Sequence, residues 1–151
     1  MTNMRKSFWI GVALVALPLP AAAQDMCAAL NRIAAAAREP VPFASLPNGT
    51  PLVPGYHYCS VDKGSATYPG RVLCHRQMAP PALLAATVAA QVHDCLGGTP
   101  VPQEWPQNAV VYRTRDLVIT AESHCDERCH VGRIASLTLQ RIPADGRGSP
   151  R

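Results

Sequence analysis

The chain has 151 residues, 48% of them hydrophobic, with 14 lysine and arginine residues against 10 aspartate and glutamate residues. This length suits one domain, because single domains commonly span about 100–150 residues, and the hydrophobic fraction excludes a wholly disordered chain. The formal net charge is +4, and Arg5 and Lys6 supply half of it. Without these two residues the net charge is +2, which is too small to indicate a nucleic acid or an anionic membrane as a partner.

The N-terminus has the three parts of a secretory signal peptide. Arg5 and Lys6 form a basic start, residues 8–19 form an apolar run, and the small residues at 20–23 suit a cleavage site. The apolar run is shorter than the roughly 20 residues that a membrane span needs. We therefore expect residues 1–23 to be removed on export, which leaves a periplasmic or secreted chain without a membrane anchor.

The mature chain starts with a predicted helix and a proline-rich loop. Apolar residues recur at helical spacing over residues 25–38, where Asp25 can cap the helix and Pro40 stops it. Repeated prolines forbid regular structure from Pro40 to Gly55.

Two strands are predicted next, over residues 56–62 and 71–78. An antiparallel register that places Cys59 opposite Cys74 also places two valines opposite one another on the same face. The spacing therefore predicts a hairpin.

The second half predicts one helix and three strands. Pro80 and Pro81 open the helix, and Gly97 and Gly98 end it. A proline-rich loop follows over residues 99–107, and the strands are predicted at residues 109–113, 117–123 and 131–142. The polar segment 143–151 is expected to be a disordered tail.

Taken together, residues 24–142 form one predicted domain of the α+β class. The order is helix-strand-strand-helix-strand-strand-strand, which is typical of a two-layer sandwich. In an exported chain of this size, six cysteines predict a fold stabilised by three disulfides. The predicted elements favour the pairs Cys27–Cys95, Cys59–Cys74 and, by exclusion, Cys125–Cys129.

Other interpretations of the last cysteines stay open. The segment Cys125-x3-Cys129-His130 resembles the haem-attachment motif of cytochromes c, with one residue more between its cysteines. Cys129-His130 together with Cys74-His75 also offers four zinc ligands, with His124 near them, and Cys125 with Cys129 could form a redox pair. An oxidising compartment favours structural disulfides over these alternatives. We therefore expect no metal site and no cofactor.

The sequence contains no short catalytic motif. Possible acids, bases and nucleophiles are scattered along it: Ser60, Asp62, His57, His75, His93, Asp94, Glu104, Glu122 and Glu127. No catalytic residue is assigned, although a small envelope hydrolase remains an alternative.

The aromatic residues indicate a binding surface instead. Tyr56 and Tyr58 are expected on one strand face, opposite Cys59, and Trp105 lies in the loop 99–107. Tyrosine and tryptophan are typical anchors of protein interfaces, although the proline-rich loop could also cover the tyrosine face. As a compact, disulfide-bonded chain without a catalytic motif, it is similar to small periplasmic inhibitor or immunity proteins. This similarity predicts a non-catalytic module that binds an envelope or secreted protein.

Overall fold

The structure, a computed structural model, describes residues 21–103, 108–125 and 132–143. In these residues two α-helices pack on one face of a six-stranded antiparallel sheet, which confirms the predicted α+β class. The helices are α1 (Ala21–Ala36) and α2 (Ala85–Leu96). The strands are β1 (Tyr58–Asp62), β2 (Arg71–Arg76), β3 (Thr99–Val101), β4 (Ala109–Arg113), β5 (Leu117–Cys125) and β6 (Arg133–Arg141). Their order in the sheet is β1-β2-β6-β5-β4-β3.

Helix α1 begins earlier than predicted. The alanines before Asp25 have high helix propensity and continue the helix back to Ala21. Asp25 therefore lies inside the helix, and the prediction that it caps the start was wrong. After the C-terminal end of α1 the chain turns back, and the N–H of Phe43 donates to Ala36 O (2.9 Å). The Phe43 side chain is fully buried.

The β1–β2 hairpin has the predicted register, with Cys59 opposite Cys74. The outer edge of β1 is also occupied by the proline-rich loop. The N–H of Cys59 donates to Thr50 O (2.8 Å), and the N–H of Val61 donates to Asn48 Oδ1 (2.8 Å). The loop thus satisfies backbone groups that an edge strand otherwise leaves open.

The entry to α2 differs slightly from the prediction. Pro81 opens one 3₁₀ turn (Pro81–Leu83), and the α-helix itself begins at Ala85. Gly97 ends the helix with φ = 67°, and its N–H donates to His93 O (2.8 Å). A positive φ at this position favours glycine.

One strand was not predicted. Residues 99–101 were expected in a loop, but they form β3, which pairs with β4 at the edge of the sheet. Pro100 is compatible with this position because an edge strand can leave one N–H side unpaired.

The core lies between the helices and one face of the sheet. The helices contribute Leu30, Ile33, Val88 and Val92. The strand residues buried against them are Cys59, Val61, Val72, Cys74, Leu117, Ile119, Ala121, Ala135, Leu137 and Leu139. We call the opposite face of the sheet the outer face.

Two disulfides join elements that the sequence predicted to meet. Cys27–Cys95 links α1 to the end of α2, and Cys59–Cys74 links β1 to β2 with a Cα–Cα distance of 3.9 Å. Cys125 is also disulfide-bonded, while its predicted partner Cys129 lies outside the described residues. These bonds favour an extracellular or otherwise oxidising compartment. In the part of the chain that the structure describes, no helix has the length and apolar character to cross a bilayer.

Candidate functional site

Cross-strand register places a row of polar side chains on the outer face. Residues directly opposite one another in an antiparallel sheet point to the same side. Tyr58 is opposite His75, His75 is opposite Ser136, and Ser136 is opposite Glu122. We call these four residues the Tyr58 row. They come from β1, β2, β6 and β5, and they lie side by side on the face away from the helices.

Tyr58 is the most prominent member of this row. Its side chain is 48% exposed, although it is large and partly apolar. Its ring lies against the imidazole of His75, with 5.7 Å between ring centroids and an angle of 38° between the planes. The ring contact leaves about half of the residue facing solvent, so Tyr58 presents an aromatic surface that packs on one side against His75.

At the other end of the row, a serine and a carboxylate bind each other. Ser136 Oγ donates to Glu122 Oε2 at 3.2 Å, and Ser136 is only 6% exposed. In a hydrolytic triad the serine donates to the imidazole, and the carboxylate orients that imidazole. Here the hydroxyl donates to the carboxylate instead and is shielded from solvent. The arrangement therefore fits a structural contact better than a nucleophile.

A second row of residues on the outer face contains no charged side chain. The pairing of all six strands brings together Ser60, Leu73, Thr138, Thr120, Val111 and Val101. Val111 is 8% exposed, yet it is not part of the cluster beneath the helices. Val111 is therefore mostly covered, while Leu73, Thr120 and Thr138 of this row are half-buried.

The charges on the outer face balance each other. Arg71 Nε binds Asp62 Oδ2 at 2.7 Å, and both side chains are about half exposed. This hydrogen bond from Arg71 to Asp62 raises the pKa of the guanidinium further above its ordinary value. The register adds one carboxylate, Glu122, and one further guanidinium, Arg113. A face of this kind has no strong preference for a partner of either charge.

The predicted aromatic patch forms only in part. Tyr56 is buried, with 4% exposure. It precedes β1 and ends a turn in which its own N–H donates to Val53 O (3.2 Å). Burial raises the pKa of the Tyr56 phenol. The expectation that Tyr56 and Tyr58 share one strand face was therefore wrong, since only Tyr58 is in the strand. Trp105 lies outside the described residues.

The haem, zinc and redox hypotheses all depend on Cys129 or His130. The Cys125-x3-Cys129-His130 segment lies outside the described residues beyond Cys125. Among residues 21–103, 108–125 and 132–143, no three His, Cys, Asp or Glu side chains are grouped so that they could hold a metal ion. His93 packs against Tyr112, with 5.4 Å between ring centroids.

The sequence alone indicated His75 as a possible zinc ligand or base and Glu122 as an isolated acid. Their place in one row with Ser136 follows from the β2–β6 and β5–β6 pairings. The period-two pattern within each strand indicated which residues share a face. It could not indicate that β6, the last strand, lies between β2 and β5.

Comparisons of the chain with protein-family models, with curated proteins and with solved structures find no match. The fold class is therefore the only structural classification that supports an assignment, and proteins of the α+β class have many different functions.

Proposed function

We propose that the chain is an exported, non-catalytic protein-binding module whose outer face contacts a partner protein, with Tyr58 as the main contact residue. The observation that carries the proposal is the half-exposed Tyr58 ring held against His75. Tyrosine is enriched among residues that dominate interface energies. A side chain that already packs against a neighbour loses less conformational entropy on binding, and this increases affinity.

The outer face is better suited to binding than the sheet edges. The edge of β1 is paired with residues 48–50, and β3 at the other edge has three residues, one of them Pro100. These features oppose addition of a strand from another chain. One face of the sheet is filled by the helices, so the outer face is the accessible broad surface among the described strands.

The side chains of the outer face indicate what kind of partner surface would fit it. Tyr58 offers an apolar ring and one hydroxyl, the adjacent row offers Leu73 and threonines, and the charges are balanced within the face. A complementary surface has an apolar centre, hydrogen-bonding groups at its rim and little net charge. We therefore expect a folded exported protein with such a surface, as in inhibitor or immunity complexes.

A comparison of two tyrosines tests this proposal. The chain from residue 24 onward is immobilised, a partner is isolated from envelope and secreted fractions and identified, and its Kd is measured. Tyr58→Ala should weaken binding at least tenfold. The matched control is Tyr68→Ala, because Tyr68 is also exposed but lies in the turn at the far end of the hairpin. It should change the Kd less than twofold.

Three results would contradict the proposal. Equal effects of the two substitutions would remove Tyr58 from the site. Capture of a second copy of this chain, in place of another protein, would make the outer face a self-association surface. Hydrolysis of an envelope polymer that is lost in Ser136→Ala would make the Tyr58 row catalytic. Near-ultraviolet circular dichroism of each variant checks that the fold is retained.

A further inference from the structure

Three arginines that are distant in sequence meet at one end of the molecule. Arg38 follows α1, Arg115 lies in the turn between β4 and β5, and Arg141 ends β6. Together with Asp116 they line a cavity of about 510 Å³, whose lining also includes Ala37, Ile142 and Pro143. This volume is within the range of small-molecule sites, about 300–1,000 Å³.

The backbone around this cavity is held by hydrogen bonds. The N–H of Ile142 donates to Asp116 O (2.8 Å), which joins the end of β6 to the β4–β5 turn. Within the turn, the N–H of Leu117 donates to Thr114 Oγ1 (3.0 Å), and Thr114 N–H donates to Leu117 O (2.9 Å). The segments that carry Arg115 and Arg141 therefore have a defined relative position.

Asp116 neutralises one of the three arginine charges. Arg38 Nε binds Asp116 Oδ2 at 2.7 Å. Within the described residues, the guanidinium groups of Arg115 and Arg141 have no hydrogen-bonded or ion-paired side chain. The lining residues that the structure describes consequently have an excess of two positive charges, both on planar groups that bind oxyanions through paired N–H donors.

We propose that this pocket binds a small organic phosphate as its dianion. Arg115 and Arg141 bind the phosphate oxygens, and the two charges of a phosphate monoester match the excess in the pocket. Asp116 holds Arg38 in place. Ile142 and Pro143 contact the organic part of the ligand. The site is separate from the outer face, so it does not depend on the protein-binding proposal.

Titration with defined phosphates tests the site. Isotope-labelled chain from residue 24 onward is titrated with inorganic phosphate and with glycerol 3-phosphate, and amide shifts are followed by NMR. We expect saturable shifts at Arg115, Asp116 and Ile142. Glycerol 3-phosphate should bind more tightly than inorganic phosphate because of the apolar wall, and acetate should bind at least tenfold more weakly than either.

Charge variants distinguish a specific phosphate site from general attraction of the anion to a positively charged protein. Arg141→Gln and Arg115→Gln should each raise the Kd for glycerol 3-phosphate at least fivefold. Arg113→Gln, the matched control on the outer face, should change it less than twofold. Asp116→Asn should lower the Kd, because it removes a negative charge beside the anion. Equal effects of all three arginine variants, shifts that do not saturate, or weaker binding by Asp116→Asn would each overturn the proposal.

Discussion

Ser123 Oγ accepts a hydrogen bond of 3.0 Å from the backbone N–H of Ala85, so strand β5 caps the start of helix α2. The N-cap residue, Leu84, has no side-chain oxygen and makes no side-chain cap. The first N–H groups of a helix lack intrahelical partners, and a buried one needs a substitute. A serine distant in sequence supplies it here, and the helix and sheet layers are thereby joined by a polar contact inside the core.

Ser123→Ala should lower the free energy of unfolding by about 1–2 kcal/mol, because it leaves the N–H of Ala85 buried without a partner. Urea denaturation measures this loss. The control is Ser60→Ala on β1, where the hydroxyl makes a longer, half-buried bond of 3.4 Å to Leu73 O. A loss at Ser123 no larger than that at Ser60 would contradict the capping role.

Gly70→Ala should cost at least about 3 kcal/mol, well above the usual cost of a positive φ for alanine, about 1–2 kcal/mol. Gly70 has φ = 79°, and an added Cβ would lie 2.6 Å from Gly64 N and 2.9 Å from Asp62 O. These are backbone atoms that cannot rotate away. Gly49→Ala is the control, since Gly49 has φ = 74° with open space around it. Thermal unfolding should show a smaller loss for Gly49→Ala; equal losses would show that the crowding at Gly70 relaxes.

Removing the Cys27–Cys95 disulfide by replacing both cysteines with alanine should cost about 4 kcal/mol in the loop-entropy model. The bond spans a sequence separation of 68, against 15 for Cys59–Cys74. The longer loop restrains the denatured chain more, so its loss should also raise the m-value in urea. Replacing Cys59 and Cys74 should change the m-value less. The loop-entropy account fails if the two double variants have the same m-value.

The stability contributed by Glu39 should depend on pH. Ser45 donates from its hydroxyl and from its N–H (3.0 Å) to the Glu39 carboxylate, and these bonds lower the pKa of Glu39 in the folded state. The contribution is therefore present above the unfolded pKa, about 4.3, and is lost as the pH falls through the folded pKa.

Ser45→Ala should bring the pKa of Glu39 back toward its ordinary value, as measured by NMR titration of its carboxyl carbon. Its destabilising effect should be present at neutral pH and should shrink in acid. Glu39→Gln is the control, because it removes the titrating group and should make the effect of Ser45→Ala independent of pH. A pH-independent effect in the otherwise unchanged protein would contradict the link to Glu39.

Local patterns were sufficient for most of the fold. Cys59 and Cys74 indicated the hairpin register because a pleated strand alternates faces and one alignment satisfied both the sulfurs and the valines. Strand β3 was missed because three residues that include Pro100 carry no periodic signal. Asp25 was misplaced because the alanines before it favour helix more strongly than an N-cap favours a start.

The functional surfaces were less accessible to prediction. Tyr56 was assigned to an exposed face by extending the alternation of β1 two residues too far, into the turn that buries it. Arg38, Arg115 and Arg141 looked scattered along the sequence. They come together in the folded chain through the Arg38–Asp116 ion pair and the hydrogen bond between the end of β6 and the β4–β5 turn, and no local pattern encodes these long-range contacts.

The Cys59–Cys74 bond has a consequence for the solvent-facing side of the hairpin. A slip of one residue between β1 and β2 would exchange the two faces and turn Tyr58 inward. The bond makes that slip impossible without breaking a covalent link, even when the neighbouring ladder opens transiently. The covalent link between the two strands therefore determines the side of the sheet on which the Tyr58 ring lies.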